Sequence, residues 1–202
     1  NEGARLLRNN RGKWPGWSPT WMLGHRIGGK KLGILGMGRI GQAVARRARA
    51  FGLEVHYHNR KPVNPVIEKE LQATYWDSFD RMLREIDILS INCPHTPATF
   101  HLLNERRIAI MKPDAYVVNT ARGEVVDQEA LITALEEGRL GGAGLDVYEF
   151  EPRVPEALLR LDNVTLLPHL GTAALEVRTE MGLMAVANAV AFKDGKALPN
   201  VV

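Results

Sequence analysis

Residues Lys31–Gly41 read KLGILGMGRIG, a short apolar run that leads directly into three glycines spaced as G-x-G-x-x-G. The apolar run predicts a β-strand over Lys31–Leu35, and apolar residues along one face predict a helix over Arg39–Phe51. A second strand is predicted at Leu53–His58. These segments form a strand-helix-strand unit, and that context makes the glycine spacing specific, because the same spacing elsewhere is a weak signal.

Each glycine of the motif has a physical role at this junction. Gly36 allows a tight turn, Gly38 lets the backbone approach a pyrophosphate, and Gly41 permits close packing of the helix on the strand. The amino terminus of the helix supplies oriented N–H groups to an anion. The motif therefore predicts a dinucleotide site; the alternative is a purely structural glycine turn.

The alternation of strands and helices continues along the rest of the chain. Further strands are predicted at Ile86–Asn92, Ala115–Asn119, Ala143–Val147 and Val164–Leu167. Further helices are predicted near Ala4–Arg8, Ser78–Arg84, Asn104–Met111, Gln128–Glu137 and Leu175–Phe192. Such alternation is typical of an α/β fold with a doubly wound parallel sheet, the Rossmann dinucleotide-binding domain.

Composition restricts the classes of partner. The 202 residues include 26 Lys and Arg against 23 Asp and Glu, and a net charge of +3 gives no reason to expect nucleic-acid binding. No run approaches the roughly 18 apolar residues of a membrane span, so no membrane partner is expected. One cysteine, Cys93, excludes an intrachain disulfide and favours the cytoplasm. His56 and His58 share a strand face without a carboxylate or cysteine spaced beside them, so no metal is expected.

The end of the second strand bears on the choice of dinucleotide. Asn59 stands where an Asp or Glu would normally accept hydrogen bonds from the adenosine ribose of NAD. A carboxylate there would repel a 2′-phosphate, whereas neutral Asn59 beside Arg60 and Lys61 offers it hydrogen bonds and positive charge. The segment therefore predicts a preference for NADP over NAD. The alternative is that Arg60 and Lys61 belong only to a solvated turn.

Three polar residues stand at the ends of predicted strands or in the loops that follow, where an open α/β sheet binds its ligand. Arg122 offers a guanidinium suited to a carboxylate and its adjacent carbonyl. His169 offers an imidazole suited to proton exchange near neutral pH, and Glu151 would support that imidazole. Taken singly, each has an ordinary explanation: a surface Arg, a turn Glu and a hydrogen-bonded His.

Four motifs stand together in this chain: Gly33–Gly41, Asn119–Gly123, the segment from Gly144 to Pro152, and Pro168–Gly171. Together they resemble the D-isomer-specific 2-hydroxyacid dehydrogenase family over essentially the whole chain. The resemblance implies an oxidoreductase that transfers a hydride from NAD(P)H to the 2-carbon of a small 2-oxo acid. It implies that Arg122 orients the substrate carboxylate and polarises the carbonyl, His169 protonates the carbonyl oxygen, and Glu151 holds the imidazolium.

The same resemblance implies a row of contacts along the dinucleotide. Arg39 and Ile40 would lie at the pyrophosphate, and Asp146 would meet the nicotinamide amide. Cys93 is equally well explained as a thiol packed beside the crevice. The expected cofactor residues are Gly36, Gly38, Arg39, Ile40, Gly41, Asn59, Arg60, Lys61, Cys93, Thr99, Thr120, Ala121, Asp146 and Gly171.

Within the family, the chain most resembles the NADP-dependent glyoxylate and hydroxypyruvate reductases, through its basic turn and through Trp14, Trp17 and Trp21. This branch implies glyoxylate or hydroxypyruvate as the substrate and a homodimer. Tryptophans without helical or strand period usually cover a core or an interface. A contact with the active site of the dimer partner is the alternative.

The family fold has a second, substrate-binding lobe, and we expect most of it to be absent from this chain. Residues 1–26 are expected to connect domains or protomers, residues 27–171 to form the dinucleotide-binding domain, and residues 172–202 to form a helix that returns toward the substrate lobe. The chain alone is therefore expected to bind a dinucleotide but to have very low activity.

Two other functions remain open at this point. One is an NAD-dependent D-2-hydroxyacid or phosphoglycerate dehydrogenase, which cofactor preference and substrate size would separate from a glyoxylate reductase. The other is a dinucleotide-sensing, corepressor-like binding protein, because such proteins share the fold and the set of Arg, Glu and His.

Overall fold

The computed structural model describes residues 2–201, and seven of its strands form one parallel sheet. The strands are β1 Lys31–Leu35, β2 Glu54–His58, β3 Ala73–Tyr75, β4 Ile88–Ile91, β5 Tyr116–Asn119, β6 Gly142–Leu145 and β7 Val164–Leu166. Their order is β3-β2-β1-β4-β5-β6-β7, and every neighbouring pair is parallel. The order reverses between β1 and β4, where an open sheet of this kind has its ligand crevice.

Helices connect the parallel strands, and one further helix lies before the first strand and one after the last. They are α1 Glu2–Asn9, α2 Arg39–Ala50, α3 Pro65–Leu71, α4 Phe79–Glu85, α5 Glu105–Ile108, α6 Gln128–Glu136, α7 Glu156–Arg160 and α8 Leu175–Lys193. A single 3₁₀ turn, Gly123–Val125, follows β5. The predicted fold class is thus confirmed.

Two buried apolar clusters hold the sheet and the helices together. The smaller cluster packs α2 and α3 on β1 and β2 and includes Ile34, Ala45 and Tyr57. The larger cluster packs α4 and α6 on β4, β5 and β6. Both clusters lie between the sheet and its helices. The loops at the carboxyl ends of the strands lie at the edge of these clusters and can form the crevice.

Three elements escaped prediction because their sequence signals are short. Helix α3 begins at Asn64-Pro65, where the Asn64 side chain accepts the N–H of Val66 at 2.9 Å, and it has only seven residues. Strand β3 has three residues and helix α7 has five, too few to show a period. The helix predicted over Asn104–Met111 was too long, since α5 ends at Ile108 and a turn follows.

The two ends of the chain expose apolar surface. Helix α8 has no buried residue among those described, and Leu175 and Phe192 are largely exposed. Trp14 and Trp21 stack on each other with ring centroids 5.6 Å apart, and Trp17 is exposed. The predicted division at residues 1–26, 27–171 and 172–202 stays a prediction, and Asn1 and Val202 lie outside the described residues. Within residues 2–201, no helix is both long and apolar enough to cross a membrane.

Candidate active site

The glycine turn between β1 and α2 is as tight as the motif requires. Gly36 has a φ of +98°, and a Cβ on it would lie 2.8 Å from the backbone nitrogen of Cys93. A Cβ on Gly41 would overlap the carbonyl oxygen of Gly36, so α2 can pack on β1 only if residue 41 is glycine. Both positions therefore require glycine for steric reasons within the protein itself.

Gly38 is different, because its surroundings are open. It caps the amino end of α2 without any side-chain hydrogen bond, and a Cβ on it would meet nothing within 4 Å. The space that the absent side chain leaves, together with the uncapped N–H groups of the first helical turn, fits the pyrophosphate of a dinucleotide. Arg39 and Ile40 are both exposed at this end of α2.

The end of β2 is bonded directly to the glycine turn. The side-chain oxygen of Asn59 accepts the backbone N–H of Met37 at 2.8 Å, and the hydroxyl of Tyr75 donates to the carbonyl of Asn59 at 3.3 Å. The Asn59 side chain keeps its N–H₂ group as a donor toward a ligand. Arg60 and Lys61 follow on the turn after Asn59, and both are exposed.

The loop after β4 closes the next part of the crevice. Cys93 is partly buried against the larger core cluster, and burial raises the pKa of its thiol to about 11. The hydroxyl of Thr99 donates to the carbonyl of Pro94 at 2.7 Å and accepts the N–H of Thr96 at 2.8 Å. The structure therefore places Cys93 beside the glycine turn, while Thr99 shapes the loop.

Arg122 lies on a loop that one buried side chain shapes. Asn119, at the end of β5, donates through Nδ2 to the carbonyl of Arg122 at 2.9 Å and accepts the N–H of Ala121 at 3.0 Å. Asn119 is 1% exposed, whereas Thr120 and Arg122 are exposed. Asn119 thus holds the loop from inside, while the Arg122 side chain stays exposed.

Glu151 and His169 form a hydrogen-bonded pair of side chains. His169 Nδ1 lies 2.9 Å from Glu151 Oε2, and Glu151 Oε1 accepts the N–H of Tyr148 at 3.0 Å. A carboxylate only accepts hydrogen bonds, so Nδ1 carries a proton and Nε2 is directed away from the pair. Among residues 2–201, no group bonds to that Nε2. The imidazole therefore has one nitrogen fixed and one free for a ligand.

The electrostatics of this pair favour a charged carboxylate. The hydrogen bond from His169 is the largest cause that lowers the pKa of Glu151, and burial opposes it. The N–H of Tyr148 and the charges of His169 and Arg122 lower the pKa further. The charge of Arg122 thus acts on Glu151, whereas direct hydrogen bonding joins only Glu151 and His169.

The loop that carries His169 is held by a second carboxylate. Asp146, 3% exposed, accepts the N–H of Leu170 at 2.7 Å and the N–H of Gly171 at 2.8 Å. The N–H of His169 donates to the carbonyl of Asp146 at 2.9 Å. His169 itself has a φ of +56°, a conformation that favours glycine, so these bonds hold an unfavourable backbone in place.

Sequence reasoning missed the residues that support the site. Asn119 and Tyr148 lie within the motifs described above, but neither side chain was expected to take part in the reaction or to bind the dinucleotide. Tyr148 donates from its hydroxyl to the carbonyl of Leu167 at 2.9 Å and so ties the Glu151 loop to β7. For Asn119 a signal existed, because a short polar residue at a strand end often bonds the backbone two residues onward.

A family model described as "D-isomer specific 2-hydroxyacid dehydrogenase, NAD binding domain" matches residues 2–171. The chain belongs to this family. The parallel sheet and the family match together show that it is the nicotinamide-dinucleotide-binding domain of a D-isomer specific 2-hydroxyacid dehydrogenase.

Several members of the family resemble the chain closely. A glyoxylate reductase from Thermococcus litoralis is 46% identical over 195 residues, which are 95% of this chain and 58% of that protein. The structure of a glyoxylate reductase from Paecilomyes thermophila covers 96% of this chain and 57% of its own, with 42% identity and a TM-score of 0.86. The structure of an NADPH-dependent glyoxylate/hydroxypyruvate reductase from Sinorhizobium meliloti, in complex with NADP and malonate, covers 100% of this chain and 61% of its own, with 39% identity and a TM-score of 0.87. The chain therefore spans about three fifths of the length of these relatives.

Proposed function

We propose that the protein containing this chain reduces a small 2-oxo acid to the D-2-hydroxy acid with a nicotinamide dinucleotide. One observation carries the proposal: His169 and Glu151 are paired at 2.9 Å beside Arg122, at the carboxyl ends of strands in a dinucleotide-binding sheet. A proton donor and a carboxylate binder next to a hydride carrier are what the reduction of a 2-oxo acid requires.

His169 supplies the proton of the reaction. Its Nδ1–H bond to Glu151 fixes the ring, so that the Nε2 proton is directed at the crevice, and the carboxylate stabilises the imidazolium. A bound dihydronicotinamide supplies the hydride to the 2-carbon of the substrate. The carbonyl oxygen then takes the Nε2 proton, the product gains one C–H and one O–H bond, and His169 is left neutral.

Arg122 binds and polarises the substrate. One of its N–H groups donates to the carbonyl of Ala121 at 2.6 Å, which fixes the guanidinium near its own backbone. The remaining N–H groups are suited to the carboxylate of the oxo acid and to its adjacent carbonyl oxygen. Arg122 therefore accounts for the preference for an acid substrate, and its positive charge favours the developing alkoxide.

The finer choices within this function are NADP as the cofactor and glyoxylate or hydroxypyruvate as the substrate. Asn59, Arg60 and Lys61 support NADP, because a neutral amide and two cations stand where a 2′-phosphate would lie. The similar glyoxylate reductase and glyoxylate/hydroxypyruvate reductase support the choice of substrates. The exposed tryptophan segment supports a homodimer, and the single cysteine supports the cytoplasm.

Calorimetric titration of the chain with NADPH and with NADH tests the cofactor. We expect NADPH to bind about tenfold more tightly, since a charged phosphate meets two cations. The matched variant is Asn59→Asp, which keeps the size of the side chain and adds the carboxylate that repels the phosphate; its preference should reverse. Tighter binding of NADH to the unaltered chain would favour an NAD-dependent dehydrogenase instead.

Joining this chain to the substrate lobe of the Thermococcus litoralis relative tests the reaction. The chimera should consume NADPH, followed by absorbance, with glyoxylate or hydroxypyruvate, and His169→Ala should lower kcat by about a hundredfold or more. The chain alone should show very little turnover. A chimera that binds NADPH but reduces neither acid, or an undiminished His169→Ala variant, would contradict the proposal.

A further inference from the structure

A hydrogen-bonded cluster outside the proposed reaction site joins the loops that carry Arg122 and Glu151. His101 Nε2 lies 2.8 Å from Glu149 Oε1, and Glu149 Oε2 accepts the backbone N–H of Gln128 at 3.3 Å. The backbone N–H of Glu149 donates in return to Gln128 Oε1 at 3.3 Å. The Glu149 side chain is only 10% exposed, so its carboxylate depends on these partners.

One side of the cluster is fixed to the segment that follows Arg122. The N–H of His101 donates to the carbonyl of Glu124 at 2.8 Å, and Leu103 pairs with Val126 in a parallel bridge. The ring of Phe100 stacks on His101 with centroids 4.0 Å apart. His101 has a φ of +45°, so these contacts hold it in a backbone conformation that L-residues disfavour.

The other side of the cluster continues into the proton-transfer pair. Glu149 follows Tyr148, whose N–H donates to Glu151 at 3.0 Å and whose hydroxyl donates to Leu167, two residues before His169. Gly123 packs so closely on the Tyr148 backbone that a Cβ would overlap it. The hydrogen bond between His101 and Glu149 thus lies near the point where the loops of Arg122 and Glu151 touch.

We propose that His101 and Glu149 are positioning residues that hold Glu151 against His169. The proposal rests on the proposed function only in taking Glu151 and His169 as the proton-transfer pair. Among the ion pairs of residues 2–201, His101 is the one basic partner of Glu149, and the Asp127 carboxylate lies 3.9 Å from the other His101 nitrogen.

Loss of the hydrogen bond between His101 and Glu149 should change the position of Glu151. Without His101, Glu149 would keep a nearly buried carboxylate without this hydrogen-bond donor, which is costly, and the segment would move so that water could reach it. Tyr148 and Glu151 lie within two residues of that carboxylate. The hydrogen bond between Glu151 and His169 would then lengthen.

Carbon-detected NMR titration of the Glu151 carboxyl group in this chain tests the proposal. In the unaltered chain His169 holds the pKa of Glu151 below its usual range. His101→Ala and Glu149→Gln should each raise that pKa toward the ordinary value of 4.5. His101→Gln, which keeps a side-chain N–H near Glu149, should restore the low pKa. His95→Ala is the matched control, because His95 lies in the same loop, 3.8 Å from Glu124, and does not bond to Glu149.

Urea unfolding of each variant separates positioning from simple stabilisation. A variant that loses stability while the pKa of Glu151 stays low would overturn the proposal, and so would an equal rise in His101→Ala and His101→Gln. If His101→Ala does not fold, Glu149→Gln, which keeps the side-chain size, decides the question. The measurement needs no turnover, so it stays informative even if the chimera reduces neither acid.

Discussion

The two ends of the crevice are built in different ways. At the dinucleotide end the backbone forms the binding surface, and its shape depends on positions where a Cβ would collide with the protein or fill the space for the ligand. At the proposed reaction end the groups that we assign to the reaction are the exposed side chains of Arg122, Glu151 and His169, and other side chains hold their loops. At the second end, one substitution can therefore remove a functional group and another can remove its support, whereas at the first end a substitution acts by adding atoms to a glycine.

The largest expected effect comes from adding one methyl group at the dinucleotide end. In Gly41→Ala the new Cβ would overlap the carbonyl oxygen of Gly36, which is backbone and cannot rotate away. We expect unfolding in urea to show a loss of about 3 kcal/mol, and calorimetry to show no binding of either dinucleotide.

Gly38→Ala is the matched change, because its Cβ would meet nothing within 4 Å. Stability should change by less than about 1 kcal/mol, while NADPH affinity should fall by about tenfold or more, since the methyl group occupies the path of the pyrophosphate. If both variants lost stability equally, the distinction between packing and ligand space at this turn would be wrong.

At the reaction end, the supporting residue should matter more to stability than the functional one. Asn119→Ala leaves the N–H of Ala121 and the carbonyl of Arg122 without their buried partner, at a cost of about 2 kcal/mol. Arg122→Ala, at an exposed position, should change stability by no more than about 0.5 kcal/mol. Urea unfolding of the two variants measures the difference, and a greater loss in Arg122→Ala would contradict this description.

This asymmetry also explains how far the sequence could predict the molecule. Strand β1 was predicted to the residue, and α2 to within one residue, because the glycine motif marks their junction and both have a clear apolar pattern. Arg122, Glu151 and His169 were predicted as reaction residues from their chemistry at strand ends together with the family resemblance, and their roles stay a prediction.

The hydrogen bonds that hold the loops could not be predicted from the sequence, because they join segments that are distant along the chain. His101 and Glu149 are 48 residues apart, and Asp146 and Gly171 are 25 apart. No local period or spacing encodes such pairs. The exposed face of α8 is a similar case, since its Ala and Met content alone gives a pattern more typical of a core.

A smaller effect is expected where a carboxylate holds the His169 loop. Asp146→Asn replaces one acceptor oxygen by an N–H₂ group that faces the N–H of Leu170 or Gly171. We expect a loss of about 1 kcal/mol in urea unfolding and faster hydrogen exchange at those two amides. Asp162→Asn, at an exposed position, is the control and should change neither. Unchanged exchange in Asp146→Asn would mean that the loop does not need the carboxylate.

The smallest expected effect is a pH dependence that belongs to the reaction end alone. Because the folded state lowers the pKa of Glu151, chiefly through the hydrogen bond from His169, the charged carboxylate adds stability above its ordinary pKa of 4.5. That contribution is lost as the pH falls below 4.5 and through the lower pKa of the folded state, and partial exposure keeps it small. Urea midpoints of the unaltered chain and of Glu151→Gln should therefore differ most near neutral pH and converge on acidification. The urea midpoint of His169→Asn should lose this dependence on pH, since Glu151 then lacks the donor that lowers its pKa. The urea midpoint of Gly38→Ala should keep it. A difference between the unaltered chain and Glu151→Gln that is constant from neutral pH into the acid range would show that the pair is not coupled to folding.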